Sequence, residues 1–255
     1  MRKGRAGDVP VAWIEPERAE QRTLRTLVIW LPGFSGTKEK MEPYLEDLAA
    51  AGFVALAYDP YQHGERMVET LDELRARIKG NIRRHFWPIL ARTAEDASRV
   101  IDWAVERLGV DGRVGMGGIS AGGDASVAAA ALDRRIKAVA AGIATPDWLR
   151  PGSFEPPGEP DEAARQDYRR RNPLTNLNAY RRTPAISFQN GALDRQVPPD
   201  GSVRFVDALR REIYAGCPER IEAVLHDGVA HAFEDAQWRS SLAWFRRHLE
   251  ESPRP

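Results

Sequence analysis

A serine between two glycines is the residue of this sequence best suited to nucleophilic chemistry. Ser120 lies in the pentapeptide Gly-Ile-Ser-Ala-Gly, residues 118–122, after an apolar run that predicts a strand and before an alanine-rich run that predicts a helix. A nucleophilic serine needs a sharp strand-to-helix turn, and flanking glycines keep side chains from colliding with the neighbouring strand and helix. The start of a helix also favours developing negative charge. We therefore predict that Ser120 is a nucleophile; the alternative is a purely structural turn.

His231 is the predicted base for this serine. A serine hydroxyl attacks a carbonyl near neutral pH only if a base takes its proton, and imidazole can both take and return that proton. His231 lies in a glycine-containing loop after the last predicted strand. His226 ends that strand, His248 lies on the predicted last helix and His85 follows two arginines. We interpret these three as a strand end, a solvated helix face and a charged surface.

A carboxylate must orient the imidazole, and two aspartates compete for that role. Asp194 lies just beyond a predicted strand at residues 184–189. A buried aspartate that accepts the imidazole N–H fixes the tautomer and stabilises the imidazolium. Asp200 is followed by Gly-Ser at the start of a predicted helix, which is typical of an N-terminal cap. We therefore favour Asp194, and the chain order becomes Ser120, Asp194, His231.

Acyl transfer also needs donors for the oxyanion of the tetrahedral intermediate. One donor comes from the residue after the nucleophile and the other from a loop after an earlier strand. The sequence Leu-Pro-Gly-Phe-Ser-Gly, residues 31–36, forms such a turn after the predicted strand at residues 26–31. We predict that the backbone N–H groups of Ala121 and Phe34 form the oxyanion hole; the alternative is a simple glycine-rich turn.

Alternating strands and helices are predicted to carry these residues. Apolar, β-rich runs lie at residues 9–14, 26–31, 53–58, 113–119, 136–143, 184–189 and 220–225. Apolar residues at helical spacing lie at residues 38–51, 88–108, 121–132, 201–214 and 236–250. Runs that are apolar on both faces are typical of central strands covered by helices on each side. The sequence thus predicts an α/β fold, with a mostly parallel, doubly wound sheet of about seven or eight strands and helices on both faces.

Two long connections interrupt this alternation. Residues 61–87 are charged and partly helical, whereas residues 145–183 are rich in proline and have helical character only at residues 161–171. Long connections that follow the carboxyl ends of strands often form lids or binding loops. We predict that residues 145–183 form a cap over the site and that residues 61–87 form a second insertion; the alternative is a tolerated surface insertion.

Aromatic side chains in these two connections are candidates for a substrate pocket. Apolar and aromatic walls are typical of sites that bind small molecules. We assign a substrate-binding role to Tyr61, Trp87, Trp148 and Phe154. The alternative is ordinary core or lid packing.

Length, charge and cysteine content limit the class of protein. The 255 residues fit one domain, residues 1–255. The 37 basic and 37 acidic residues balance, which argues against a nucleic acid or an anionic membrane as a partner. The single Cys217 excludes an internal disulfide framework and a cysteine-rich zinc site. Because neither a signal peptide nor a membrane span is visible, we predict a cytoplasmic protein, with its oligomeric state left open.

Five motifs in this order resemble those of serine α/β-hydrolases in the dienelactone-hydrolase and prolyl-oligopeptidase-like esterase group. They lie at residues 32–36, 59–66, 118–123, 191–198 and 231–233. The resemblance implies the α/β-hydrolase fold, the chain order serine, aspartate, histidine, and no metal or organic cofactor. In such relatives the Asp-x-x-x-His-Gly segment is mainly structural, so His63 stays outside the predicted catalytic set.

Departures from these relatives narrow the expected activity. Dienelactone hydrolases use a cysteine where this sequence has Ser120. The related peptidases carry an N-terminal propeller domain, whereas only about 25 residues precede the first central strand here, so we expect no such propeller. We therefore expect an enzyme that hydrolyses carboxylic esters of small molecules through an acyl-enzyme. The alternatives are an amidase, thioesterase, peptidase or acyltransferase with the same triad, or a binding protein of the same fold without turnover.

Overall fold

The computed structural model describes residues 1–17 and 25–250, and within them the chain builds an eight-stranded sheet. Across the sheet the strands follow the order β1-β2-β4-β3-β5-β6-β7-β8. The pairs β1–β2 and β2–β4 are antiparallel, and all the other pairs are parallel. The predicted mostly parallel sheet is thereby confirmed. The strands are β1 (Arg2–Ala6), β2 (Val9–Ile14), β3 (Leu27–Leu31), β4 (Val54–Tyr58), β5 (Val114–Ile119), β6 (Ile136–Gly142), β7 (Ala185–Gly191) and β8 (Ile221–His226).

Seven α-helices in the described residues cover both faces of the sheet. Side chains of α1 and α7 pack against one face, in a cluster that includes Trp30 and Phe245. Side chains of α2, α3, α4 and α6 belong to the core cluster on the other face. Because both faces are covered, the central strands are apolar on both sides, as predicted. The helices are α1 (Glu42–Ala50), α2 (Leu71–Gly80), α3 (Ile82–Leu108), α4 (Ala121–Leu132), α5 (Glu162–Arg171), α6 (Asp200–Glu212) and α7 (Asp235–Leu249).

Helix α3 begins six residues before the predicted start at Pro88. The side chain of Asn81 accepts a hydrogen bond from Arg84 N at 3.0 Å and caps the first turn. Ile82 and Phe86 are buried and hold that turn against the core. Tertiary packing therefore outweighs the helix-starting preference of proline, which lies inside the helix. Among the described helices, even this 27-residue one is not apolar enough to cross a membrane.

Strand β1 was not predicted from the sequence. Its residues, Arg-Lys-Gly-Arg-Ala, show none of the alternation of apolar and polar residues that indicates a strand. It lies at the antiparallel edge of the sheet, where only Ala6 is buried. Pairing with β2 and ion pairs of Lys3 with Glu39 and of Arg5 with Glu65 hold it. An edge strand of this kind is specified by its hairpin partner rather than by its own pattern.

The connection between β6 and β7 contains one α-helix, as predicted. Helix α5 is capped by Asp161, whose carboxylate accepts a hydrogen bond from Ala164 N at 2.9 Å. It packs on α3, where Tyr168 stacks on Trp87 with ring centroids 4.5 Å apart. The connection thus lies against α3, while its role as a cap stays a prediction.

Candidate active site

Ser120 lies on the turn between β5 and α4, with backbone angles of φ 52° and ψ −116°. Residues other than glycine rarely adopt such angles, and the surrounding structure must hold them. A Cβ atom on Gly118 would lie 2.6 Å from Leu31 O, and one on Gly122 would lie 2.6 Å from the carbonyl oxygens of Leu31 and Pro32. The two glycines of the pentapeptide therefore allow the turn to pack directly against the end of β3.

The side chains of Ser120, His231 and Asp194 form one chain of hydrogen bonds. Ser120 Oγ lies 3.2 Å from His231 Nε2, and His231 Nδ1 lies 2.6 Å from Asp194 Oδ2. Since a carboxylate oxygen accepts, Nδ1 carries the proton in this pairing and Nε2 is left to accept from the serine hydroxyl. The three residues follow the carboxyl ends of β5, β7 and β8, which is where open α/β sheets form their sites.

Backbone groups of the loop that carries Asp194 hold the carboxylate oxygen that does not contact His231. This oxygen, Oδ1, accepts hydrogen bonds from Gln196 N at 2.9 Å and from Val197 N at 2.8 Å. The side chain is fully buried, with 0% exposure. Asp200, the rival in sequence, is not the predicted cap: α6 begins at Asp200 itself, and Pro199 occupies the cap position. Its carboxylate instead pairs with Arg204 Nε at 2.6 Å on an exposed helix face.

Hydrogen bonds to the end of β7 position the loop of His231. Ala192 N donates to His226 O at 3.0 Å, and Leu193 N donates to Val229 O at 2.8 Å. Phe233, two residues after the histidine, packs on Trp30 with ring centroids 5.8 Å apart. These contacts hold the loop on both sides of His231, so the imidazole is directed to Ser120 by packing rather than by the turn alone.

The predicted oxyanion residues line one small cavity beside Ser120. Gly33, Phe34, Ala121 and Gly122 all contribute to its wall. Ala121 is the first residue of α4, so its N–H has no partner within the helix. A Cβ atom on Gly33 would lie 3.7 Å from Ser120 Cβ. The structure therefore brings Phe34 and Ala121 to the wall of one cavity at the start of α4, and their role as oxyanion donors stays a prediction.

The other histidines lie outside this chain of hydrogen bonds. Buried His63 has Nδ1 2.9 Å from Tyr61 O, and burial lowers its pKa. His226 Nε2 lies 2.9 Å from Gln189 Oε1 in the sheet. His248 was predicted to lie on a solvated face, which is wrong: its ring packs on Trp244 at 4.1 Å, and burial lowers its pKa to about 4.

The segment around His63 is held by a buried charge cluster. Asp59 accepts hydrogen bonds from Lys38 Nζ at 2.9 Å, Lys38 N at 3.0 Å and Glu65 N at 3.0 Å. Lys38 and Asp59 are nearly inaccessible to solvent. Burial alone would lower the pKa of the Lys38 ammonium, but the hydrogen bonds that it donates to Glu65 and Asp59 outweigh burial and raise that pKa. This cluster explains the Asp-x-x-x-His-Gly motif as a structural clamp on the loop after β4.

The four aromatic residues predicted to bind substrate are spread over different environments. Trp87 is 3% exposed and donates Nε1 to Trp148 O at 2.9 Å. Trp148 is also buried, Tyr61 is half-buried with the Arg66 guanidinium 5.4 Å from its ring, and Phe154 is 65% exposed. For all four, a substrate-binding role stays a prediction.

Sequence reasoning missed a buried ion pair behind the nucleophile turn. Asp124, one helical turn after Ser120, accepts hydrogen bonds from Arg150 Nη2 and from Thr145 N, both at 2.7 Å. Burial raises the pKa of the Asp124 carboxyl, and Arg150 opposes that shift. The Arg150 guanidinium also lies 5.1 Å from the ring of Phe86. The available signal was an acidic residue inside the otherwise apolar sequence of α4.

Within residues 1–17 and 25–250, no group of three or more histidine, cysteine, aspartate or glutamate side chains is placed to hold a metal ion.

Comparisons with known proteins agree with this architecture. YitV of Bacillus subtilis (strain 168), described as a candidate esterase, is 26% identical over 94% of this chain and 96% of its own length. The structure of TT1662 from Thermus thermophilus superposes with a TM-score of 0.78 at 23% identity, over 98% of this chain and 99% of that one. A thermophilic esterase from Thermogutta terrifontis superposes with a TM-score of 0.66 at 19% identity, over 100% and 96% of the two chains.

A family model identifies the chain more directly. The model of the prolyl oligopeptidase family matches residues 91–252, a range that contains the nucleophile turn and the loops of Asp194 and His231. The eight-stranded sheet with helices on both faces is the α/β-hydrolase fold, as the superpositions also show. The chain therefore belongs to the prolyl oligopeptidase family of hydrolases.

Proposed function

We propose that this protein hydrolyses carboxylic esters of small molecules through an acyl-enzyme on Ser120. The observation that carries the proposal is the hydrogen-bond chain from Ser120 Oγ through His231 to the buried Asp194 carboxylate. Nucleophile, base and orienting carboxylate are the three groups that a serine hydrolase needs, and they occur here in the required contact order.

The first half of the reaction forms the acyl-enzyme. His231 Nε2 takes the hydroxyl proton as Ser120 Oγ attacks the ester carbonyl carbon, and the carbonyl oxygen becomes an oxyanion. The backbone N–H groups of Ala121 and Phe34 donate hydrogen bonds to that oxyanion. When the intermediate collapses, the bond to the alcohol oxygen breaks, and His231 gives its proton to the departing alcohol.

The second half repeats these steps with water. His231 takes a proton from a water molecule, which attacks the acyl carbon, and the bond to Ser120 Oγ breaks as the proton returns to the serine. Asp194 keeps Nδ1 protonated and stabilises the imidazolium in both halves. The products are the carboxylic acid and the alcohol, and the enzyme returns to its starting state.

Two further observations support an ester as the substrate. The full-length relative YitV is described as a candidate esterase, and the Thermogutta terrifontis esterase was solved with butyrate bound. In this chain, the half-buried Phe34 packs edge-on against Phe86 with ring centroids 5.7 Å apart. The buried Phe86 thus supports the ring of Phe34, whose partly exposed aromatic side chain suits contact with a short acyl chain.

The direct test uses p-nitrophenyl butyrate and a fluorophosphonate probe. The wild type should hydrolyse the ester and take up the probe, and Ser120→Ala should do neither. Ser240→Ala is the matched control, because Ser240 is half-buried on α7 and its hydroxyl donates only to Ala236 O among the described residues. Probe labelling that survives Ser120→Ala would overturn the assignment of the nucleophile.

The same preparation separates the competing activities. The p-nitroanilide of butyric acid differs from the ester only in the bond that is cleaved. Hydrolysis of the anilide at a rate equal to or above that of the ester would favour an amidase or peptidase. Labelling of Ser120 without turnover of either compound would favour an acyltransferase or a binding protein. We expect the ester to be the better substrate.

A further inference from the structure

A second cavity, of about 160 Å³, lies between the start of α3 and the segment that follows β6. We call it the arginine cavity, because two guanidinium groups contribute to its wall. Water occupies about 30 Å³ per molecule in the liquid, so the volume holds a group of several heavy atoms. The wall residues used below are Arg83, Trp148, Arg150, Ser153 and Glu155.

Arg83 brings an unbalanced positive charge to this wall. Within the described residues it forms no ion pair, and its Nε is buried without a hydrogen-bond acceptor. Neighbouring Arg84, by contrast, pairs with Asp161 at 3.2 Å. The indole Nε1 of Trp148 is likewise buried without an acceptor among the described residues. Both orphaned groups are donors, so what they lack is an acceptor.

Arg150 connects the arginine cavity to the catalytic residues. Its guanidinium donates to Asp124 Oδ2 at 2.7 Å, and Asp124 N in turn donates to Ser120 O at 2.9 Å, one helical turn away. The same guanidinium lies over Phe86, whose ring contacts Phe34. Arg150 therefore links the wall of the cavity to helix α4 through Asp124 and to the ring of Phe86.

Ser153 and Glu155, two further wall residues of the arginine cavity, form hydrogen bonds with the loop that carries Asp194. Ser153 Oγ donates to Gln196 O at 2.8 Å, and Gln196 Nε2 donates to Glu155 Oε1 at 3.2 Å. Glu155 is the acidic residue of the wall, and it also lies 3.5 Å from Arg150 Nη1. Its charge and that of Asp124 face Arg150, which leaves Arg83 as the cation available to a ligand.

We propose that the arginine cavity binds a carboxylate on the substrate, so that the preferred substrates are half-esters of dicarboxylic acids. This inference rests on the proposed ester hydrolysis and names its substrate class. A carboxylate is acceptor-only and forms short, charge-assisted hydrogen bonds with a guanidinium. Arg83 would bind it, and Arg150, already fixed by Asp124, would add the positive field of a second guanidinium. The ester at the other end of the acyl chain would then lie towards Ser120.

The test compares monomethyl adipate with methyl 5-carbamoylpentanoate, a neutral isostere in which an amide replaces the carboxylate. We expect the wild type to prefer the anionic ester by about tenfold or more in kcat/KM. In Arg83→Gln this preference should fall to near parity, because kcat/KM should fall much more for the anionic ester than for the neutral one. Arg84→Gln is the matched control, since Arg84 has the same charge, lies one residue further along α3 and lines a different cavity.

Free adipate supplies a second, independent measurement. It should inhibit hydrolysis of p-nitrophenyl butyrate by the wild type and by Arg84→Gln, and should inhibit Arg83→Gln much less. Equal kcat/KM for the two methyl esters in the wild type, or a preference that Arg83→Gln leaves intact, would overturn the inference while ester hydrolysis stands. Absence of hydrolysis of all three esters together with absence of probe labelling on Ser120 would instead overturn the proposed function.

Discussion

Asp194 divides its two oxygens between two tasks. Oδ2 holds the imidazole of His231, and Oδ1 holds its own loop through the N–H groups of Gln196 and Val197. The carboxylate that we propose orients the base is therefore itself fixed by backbone groups, without help from a flexible side chain. At the scale of single residues, the geometry of the base depends on the folding of a four-residue turn.

The first residue-scale prediction concerns Asp194→Asn. The asparagine amide can keep the Oδ1 contacts to the loop but presents N–H₂ to His231, which favours the wrong imidazole tautomer. We expect kcat for p-nitrophenyl butyrate to fall by about 10³–10⁴-fold, with little change in the melting temperature. Asp200→Asn, the matched control, removes only an exposed pair with Arg204 and should keep full activity. Equal losses in the two variants would contradict the assignment.

The second residue-scale prediction concerns His248. Burial lowers its pKa from the ordinary value of about 6.5 to about 4. Between these pH values the unfolded chain binds a proton that the folded protein does not, so stability falls as the pH falls. In His248→Gln the loss of melting temperature between pH 7 and pH 4.5 should be smaller than in the wild type. An identical pH dependence in both proteins would show that His248 does not contribute.

At the scale of elements, the nucleophile turn depends on contact between α4 and the end of β3. The loop after β3 carries Phe34, and the first residue of α4 is Ala121, so one interface positions both predicted oxyanion donors. Gly122 lies in that interface, where a Cβ atom would lie 2.6 Å from two carbonyl oxygens. Backbone carbonyls cannot rotate away as a side chain can, so the helix itself must move.

Gly122→Ala tests this interface. Overpacking should destabilise the protein by about 1–3 kcal/mol, and displacement of α4 should also lower kcat for p-nitrophenyl butyrate. Gly80→Ala is the control, because no atom of the described residues lies within 4 Å of its added Cβ, and the exchange should stabilise α2 by about 0.5–1 kcal/mol. Urea unfolding measures both values. Unchanged stability and activity in Gly122→Ala would show that the interface between α4 and the end of β3 accommodates the added methyl group, which would contradict the prediction.

Some elements could be predicted from the sequence and others could not. The central strands were predictable because each is buried on both faces and reads as a continuous apolar run. Strand β1 has no such pattern, and the first turns of α3 are held by Ile82 and Phe86 packing into a core that only the complete fold creates. The pattern of apolar residues within a segment predicts the secondary structure of that segment. Contacts between distant segments depend on the complete fold, so no single segment predicts them.

The same distinction applies to the site. Ser120, Asp194 and His231 could be predicted because each follows a strand and carries a residue type that the chemistry requires. Two contacts could not be predicted in this way: Asp124 pairs with Arg150, 26 positions away, and Trp87 stacks on Tyr168, 81 positions away. No local sequence motif contains both partners of either contact. Such contacts fix the long connection between β6 and β7, and for that reason the sequence predicts the type of reaction better than the substrate.

At the scale of the whole molecule, the position of the proposed base His231 depends on the edge of the sheet. Among the described strands β8 pairs only with β7, and its residues are mostly half-buried. It leads directly into the loop of His231, and edges with few buried contacts open before the core does. We expect activity towards p-nitrophenyl butyrate to be lost at a lower urea concentration than the far-ultraviolet circular dichroism signal. Coincident transitions would contradict this order of events.

The backbone angles of Ser120 have a consequence for attempts to engineer the protein. Holding a non-glycine residue at such angles costs about 1–3 kcal/mol, and glycine at this position would release that cost. Ser120→Gly should therefore be more stable than the wild type, and also inactive. A library selected for heat resistance alone would enrich variants that have lost the nucleophile. Selection for thermostable forms of this hydrolase must therefore score turnover and stability in the same round.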